Sequence, residues 1–178
     1  MKKILILPRW VKSHKLYYNE EIVCKVGNVD EEAKRAGPVA GLSLGALILL
    51  RSHIQVVGKI VLINPPLPKR NLLTWFIQWL KFSLQEGLFS THRVTYVINP
   101  LKFLSAVAEC IRLLSVDFSK ILDEIPKGKI VVIRGTKDYF FCDSQAVEFL
   151  KRKNIKIIEV DGGHNLSEAM EKALINYK

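Results

Sequence analysis

Gly41-Leu42-Ser43-Leu44-Gly45 follows an apolar approach, Gly37-Pro38-Val39-Ala40, and runs straight into Ala46-Leu47-Ile48-Leu49-Leu50. The approach reads as a strand and the run after it as a helix, so the chain turns sharply at Ser43. Both glycines have a physical task there. A strand that bends directly into a helix holds the central residue in a strained conformation, and a bulky side chain two positions away on either side collides with its neighbours. The turn lifts the serine hydroxyl clear of the sheet. It also sets that hydroxyl at a helix N-terminus, where free N–H groups and the helix dipole favour developing negative charge.

A serine presented in this way becomes a nucleophile only with a base, and the base needs a group to orient it. Four histidines are available: His14, His53, His92 and His164. His164 follows the strand-like run 155–160 and a Gly162-Gly163 break, and precedes a helical pattern through Glu168, Met170 and Leu174. In that setting it can swing towards a serine at the same end of a parallel sheet. His53 ends the helix after the turn, where a cation suits the dipole, and His14 and His92 lie in charged connections. The orienting acid is expected between serine and histidine, at the end of another strand. Asp138 fits, following Ile130-Val131-Val132-Ile133 and a Gly135-Thr136 turn. Asp143 is the alternative, although Asp143-Ser144-Gln145 reads as a helix cap; Asp161 stands too close to the end of its own strand.

Strand-like runs at 3–7, 21–26, 38–42, 59–63, 129–133 and 156–160 alternate with helical ones at 30–35, 44–53, 144–153 and 165–177. That rhythm predicts a three-layer α/β/α sandwich around a mostly parallel sheet of about six strands. Ligands bind such sheets at the carboxyl ends of the strands, where Ser43, Asp138 and His164 all fall. The 178 residues read as one domain, large enough for a proper core.

The G-x-S-x-G elbow, the segment Arg134-Gly135-Thr136-Lys137-Asp138 and the segment Asp161-Gly162-Gly163-His164 together resemble the α/β-hydrolase superfamily, in particular its small serine esterases. The chain order serine, acid, histidine is that family's order. The resemblance implies a truncated version of the fold, without its usual first two strands, and a Ser43–His164–Asp138 triad that needs no cofactor and no metal. It also implies an oxyanion hole with the backbone N–H of Leu44 as one donor. The second donor departs from the usual pattern. Where the family often has His-Gly, this chain has Leu7-Pro8-Arg9-Trp10, and Pro8 has no N–H, so Arg9 or Trp10 would donate.

Between about 65 and 120 the strand–helix rhythm breaks. The stretch 71–82 carries Thr74, Gln78 and Lys81 at helical spacing, and Gln85 continues the series, which predicts one narrow polar face on an otherwise apolar helix. A second apolar helix is expected over about 101–114. Resemblance to the family makes this insertion a lid, with a fixed helical cap that packs into the core as the alternative. Either gives the site an apolar roof, with Trp75, Phe76 and Trp79 contacting a hydrophobic acyl group.

The expected activity is hydrolysis of a carboxylic ester or thioester with a hydrophobic acyl part. Two other readings share the fold: a non-catalytic binding protein, and an acyltransferase. With 27 Lys and Arg against 17 Asp and Glu, the net charge of +10 attracts anions, so an acyl group on an acidic carrier protein or coenzyme A is a candidate substrate. That combination resembles the esterases that cleave pimeloyl-carrier methyl esters in biotin synthesis. The basic residues are scattered and no nucleic-acid motif occurs. Three cysteines, Cys24, Cys110 and Cys142, have neither metal-ligand spacing nor an even count, which fits a reducing cytoplasm. The longest uncharged stretch, 36–50, falls short of the roughly 18 residues a membrane span needs.

Overall fold

The computed structural model describes residues 4–7, 22–24, 39–51, 59–85, 100–126 and 128–177. Short runs of Ile, Val and Leu form the strands, because such side chains suit a sheet covered on both faces. They are β1 (Ile4–Leu7), β2 (Ile22–Cys24), β3 (Val39–Leu42), β4 (Ile60–Ile63), β5 (Ile130–Gly135) and β6 (Lys156–Val160). Each pairs in parallel with its neighbours, in the order β2-β1-β3-β4-β5-β6. The order switches direction between β1 and β3, the point at which parallel sheets open a crevice beyond the strand ends.

Between and after the strands lie α1 (Leu44–Arg51), α2 (Leu72–Gln85), α3 (Pro100–Leu114), α4 (Phe118–Glu124), α5 (Ser144–Arg152) and α6 (Glu168–Asn176). Their boundaries have local causes. Pro100 opens α3, where its missing N–H costs nothing. Asp117, Asp143 and Ser167 cap α4, α5 and α6 through side-chain bonds to Ser119, Ala146 and Met170 N–H. The Ser167 cap starts α6 later than the expected 165. β5 runs on to Gly135, beyond the expected 133, because it pairs with β6 as far as Val160. The sequence pattern does not anticipate α4, whose seven residues are too few to show a period. The expected helix at 30–35 lies outside the described residues.

Period-two alternation builds two cores. Val39, Ile60, Leu62, Ile130 and Val132 face one way, against Leu47 and Leu50 of α1, Leu113 of α3, Phe118 and Leu122 of α4 and Leu150 of α5. Ala40, Leu42, Val61, Ile63, Val131 and Ile133 face the other way, against Leu166 and against Met170 and Leu174 of α6. Helices therefore cover both faces. The end of α3 and all of α4 belong to this layering, although the expected insertion reached about residue 120. Leu42, Ile63, Ile133 and Ile158 share one row of the sheet, so the loops after β3, β4, β5 and β6 emerge together. Among the described residues, no helix is long and apolar enough to cross a membrane.

Helix α2 buries only part of its apolar surface. Trp75 and Phe82 are buried and Gln78 and Trp79 half-buried, so the expected polar face, Thr74, Gln78, Lys81 and Gln85, borders the buried stripe at Gln78. Phe76, Ile77, Leu80 and Leu84 stand exposed, with Leu73 64% exposed. Period alone shows which residues share a face; what the helix packs against decides which face is buried.

Candidate active site

Ser43 occupies the turn between β3 and α1 with φ +54°, a conformation that L side chains rarely adopt. Its N–H donates to Ile63 O at 2.8 Å, and its carbonyl accepts from Ala46 N at 2.9 Å, pinning the turn to β4 on one side and to the helix on the other. A Cβ on Gly41 would come within 2.6 Å of Ala46 Cα and of the Gly45 carbonyl oxygen, so only glycine lets helix and strand approach this closely. Leu44 is the first residue of α1, and its N–H has no acceptor within the helix.

The loop after β5 folds around the carboxylate of Asp138. Phe140 and Phe141 N–H donate to Oδ1 at 3.2 and 3.1 Å, and Cys142 N–H donates to Oδ2 at 3.1 Å. The loop is itself tied down, because Arg134 Nε donates to Cys142 O at 2.6 Å and Arg70 forms a two-pronged pair with Asp143. Asp143 is thus committed to Arg70 and to the α5 cap. Asp161 is exposed and pairs with Lys137.

His164 sits between these two loops. Nδ1 lies 2.7 Å from Asp138 Oδ2, and Nε2 lies 2.8 Å from Ser43 Oγ. A carboxylate can only accept, so the proton belongs on Nδ1 and Nε2 is left with a lone pair towards the hydroxyl. Ser43, Asp138 and His164 are 8%, 0% and 5% exposed, so the whole relay is shielded from water. Burial is the largest single influence on the Asp138 carboxyl and pushes its pKa up. The hydrogen bond and charge attraction of His164, with the Phe141 and Phe140 N–H groups, outweigh it and hold the pKa below the ordinary aspartate value. The neighbouring Cys142 thiol is pushed far up, first by burial and then by the Asp138 carboxylate, so it stays protonated.

Aromatic rings wall the imidazole. Phe141 lies 4.5 Å from it and Phe82 lies 5.3 Å away, edge-on, centroid to centroid. Trp75 stacks on Phe141 at 6.0 Å, and Trp79 packs against the same cluster. Of the three aromatic residues expected to meet substrate, the structure brings Trp75 and Trp79 to this wall. Phe76 is 57% exposed on the outer side of α2, its ring 6.2 Å from that of Trp79, and it is not brought to the imidazole wall. Phe82 and Phe141 were not anticipated. Phe82 follows Trp75 by seven residues, two helical turns, and that spacing was the available signal. Phe141 reaches His164 only through the loop's wrap around Asp138, which no periodicity records. Arg9 and Trp10, the expected second oxyanion donors, lie outside the described residues, as do His14, His53 and His92. Among the described residues, no three His, Cys, Asp or Glu side chains group as metal ligands.

No protein-family model matches the chain, and no curated protein matches it. Among solved structures it is similar to an esterase of Pyrococcus furiosus, at 21% identity over 71% of this chain and 44% of that one, with a TM-score of 0.46. It is also similar to a monoacylglycerol lipase of Paleococcus ferrophilus, at 18% identity over 84% and 70% of the two chains, with a TM-score of 0.47. A third, described as a hydrolase of the alpha/beta superfamily from Xanthomonas campestris pv. campestris, is 17% identical over 82% and 58%, with a TM-score of 0.39. The chain thus spans less than half of the Pyrococcus esterase. In its parallel strand order, its serine elbow and its serine–acid–histidine sequence, the fold is α/β-hydrolase-like.

Proposed function

We propose that the protein is a serine hydrolase that cleaves carboxylic esters or thioesters with a hydrophobic acyl group. The unbroken Asp138–His164–Ser43 relay carries this reading. His164 Nε2 takes the proton of Ser43 as Oγ attacks the acyl carbonyl carbon, and Asp138 stabilises the imidazolium that forms. The carbonyl oxygen becomes an oxyanion, which the Leu44 N–H at the start of α1 would receive. As the tetrahedral species collapses, the C–O or C–S bond breaks and His164 passes its proton to the departing alcohol or thiol. Water then attacks the acyl-serine, gives a proton to His164 and releases the acid as Ser43 Oγ is reprotonated.

Trp75, Trp79, Phe82 and Phe141 supply an apolar wall beside the relay, which suits an acyl chain better than a polar group. The net charge of +10 favours an acyl group borne on an anionic carrier. A fluorophosphonate probe tests the nucleophile. The wild-type chain is expected to label, and Ser43→Ala to remain unlabelled while keeping its circular dichroism. A folded wild type that never labels refutes the reading. With p-nitrophenyl esters of rising chain length, kcat/KM is expected to climb beyond acetate; a preference for acetate alone argues against the acyl wall.

A further inference from the structure

We infer that Asn64 is a positioning residue that sets His164 at its working distance from both Ser43 and Asp138. Strand β4 contributes none of the three relay residues, yet the dipeptide that ends it is bonded to all three loops that do. Ile63 O accepts the Ser43 N–H at 2.8 Å. Asn64 Oδ1 accepts the Gly135 N–H at 2.8 Å, three residues before Asp138. Asn64 Nδ2 donates to Gly163 O at 2.9 Å and to His164 O itself at 3.0 Å. One side chain therefore spans the root of the acid loop and the backbone of the histidine.

Both ends of the amide are engaged, and Nδ2 also lies 3.7 Å from Met170 Sδ. An N–H faces its oxygen and two carbonyls face its nitrogen, so turning the amide over would set like against like at every contact. Asn64 is 0% exposed, so bulk water does not reach these bonds while the side chain is in place. Its φ is +45°, a region asparagine and glycine tolerate and most residues avoid. Glycine would satisfy that backbone but leave two carbonyls and one N–H unpaired. Aspartate would keep the Gly135 bond and set a carboxylate against two carbonyl oxygens.

The loops that Asn64 joins are already in close backbone contact. A Cβ on Gly135 would collide with the carbonyl oxygens of both Gly162 and Gly163, and Thr136 and Lys137 N–H donate to Val160 O and Gly162 O, each at 2.9 Å. Those bonds hold the loops side by side. They end at Gly162, two residues short of His164, whereas the Asn64 amide bonds the His164 carbonyl directly. A misplacement of about 1 Å in such a group can cost on the order of 100-fold in rate.

Asn64→Gly and Asn64→Asp in the full chain test this. Glycine removes the side chain without straining the backbone, so a kinetic loss belongs to the missing amide. The kinetic arm rests on the hydrolase reading above. Asn64→Gly is expected to lower kcat by about 10- to 100-fold, with KM within about twofold, and to slow fluorophosphonate labelling in parallel. Asn64→Asp should be similarly impaired at neutral pH. Its activity relative to wild type should recover as pH falls, because the protonated carboxyl regains an O–H for the facing carbonyls. A third readout needs no turnover: the downfield proton resonance of the His164 Nδ1–H bonded to Asp138 should broaden or vanish in Asn64→Gly.

Variants that melt at a lower temperature but keep wild-type kcat, labelling rate and imidazole resonance would make Asn64 a structural brace and overturn the inference. If Asn64→Gly does not fold, Asn64→Asp decides through its pH profile, since it keeps the volume and the Gly135 bond. If the wild type itself neither labels nor turns over, the hydrolase reading fails, while the imidazole resonance still decides for or against the positioning role.

Discussion

Asp138 ionises below the ordinary aspartate value although none of it reaches solvent. Its folded form therefore releases the proton more readily than the unfolded chain does. The stability this contributes is present above the unfolded value of about 3.9 and is lost as pH falls through the folded value. Between about pH 5 and pH 3 the urea midpoint of the wild type should fall more steeply than that of Asp138→Asn, which has no carboxyl to protonate. At neutral pH the same variant should lose about 10³- to 10⁴-fold in kcat, because an amide no longer holds the imidazole in its working tautomer. Ser43 shows the opposite trade. Its φ of +54° is strain, which the proposed nucleophilic role would account for. Ser43→Gly should therefore be about 1 kcal/mol more stable than Ser43→Ala to denaturant, after allowing for the extra freedom of glycine in the unfolded chain. Equal stabilities would mean that the turn costs nothing.

Helix α2 shows what happens when an element is apolar nearly all round. Its inner stripe, Trp75, Trp79 and Phe82, walls the imidazole, while Leu73, Phe76 and Leu84 look outward. The two faces should respond differently to substitution. Phe82→Ala is expected to cost about 3–5 kcal/mol in denaturant unfolding, since it empties a site packed by Phe140, Phe141 and His164. Leu73→Gln and Leu84→Gln should change stability by no more than about 0.5 kcal/mol. A large loss from either leucine variant would mean that the outer face is covered in solution. The sequence pattern reads this helix correctly as an element but not which of its apolar residues are buried, because hydropathy cannot report what lies across from a face.

For the molecule as a whole, the sheet does the gathering. Ser43, Asp138 and His164 are 95 and 26 residues apart along the chain, yet parallel strands in one register send the three loops out at the same end. Much of this was legible beforehand. Strands announce themselves as runs such as Ile60-Val61-Leu62-Ile63, because a sheet buried on both faces tolerates little else. The elbow is legible because backbone sterics demand glycine at 41, and the Asp143 cap because only short polar side chains reach the first N–H groups. What stayed hidden depends on contacts between segments far apart in sequence: the ring of Phe141 against His164, the pairing of Arg70 with Asp143, and the edge of Phe82 against the imidazole. Asn64 is the clearest instance. In the sequence it is the residue before Pro65, a plausible turn, whereas in the fold its amide meets partners 71, 99 and 100 positions away. Local chemistry thus determined the strands, the turn at Ser43 and the three candidate residues, since each follows from forces acting over a few neighbours. Which side chains hold those three in register was decided only by tertiary structure, because hydrogen bonding in a dry interior depends on which distant groups the packed sheet brings within 3 Å.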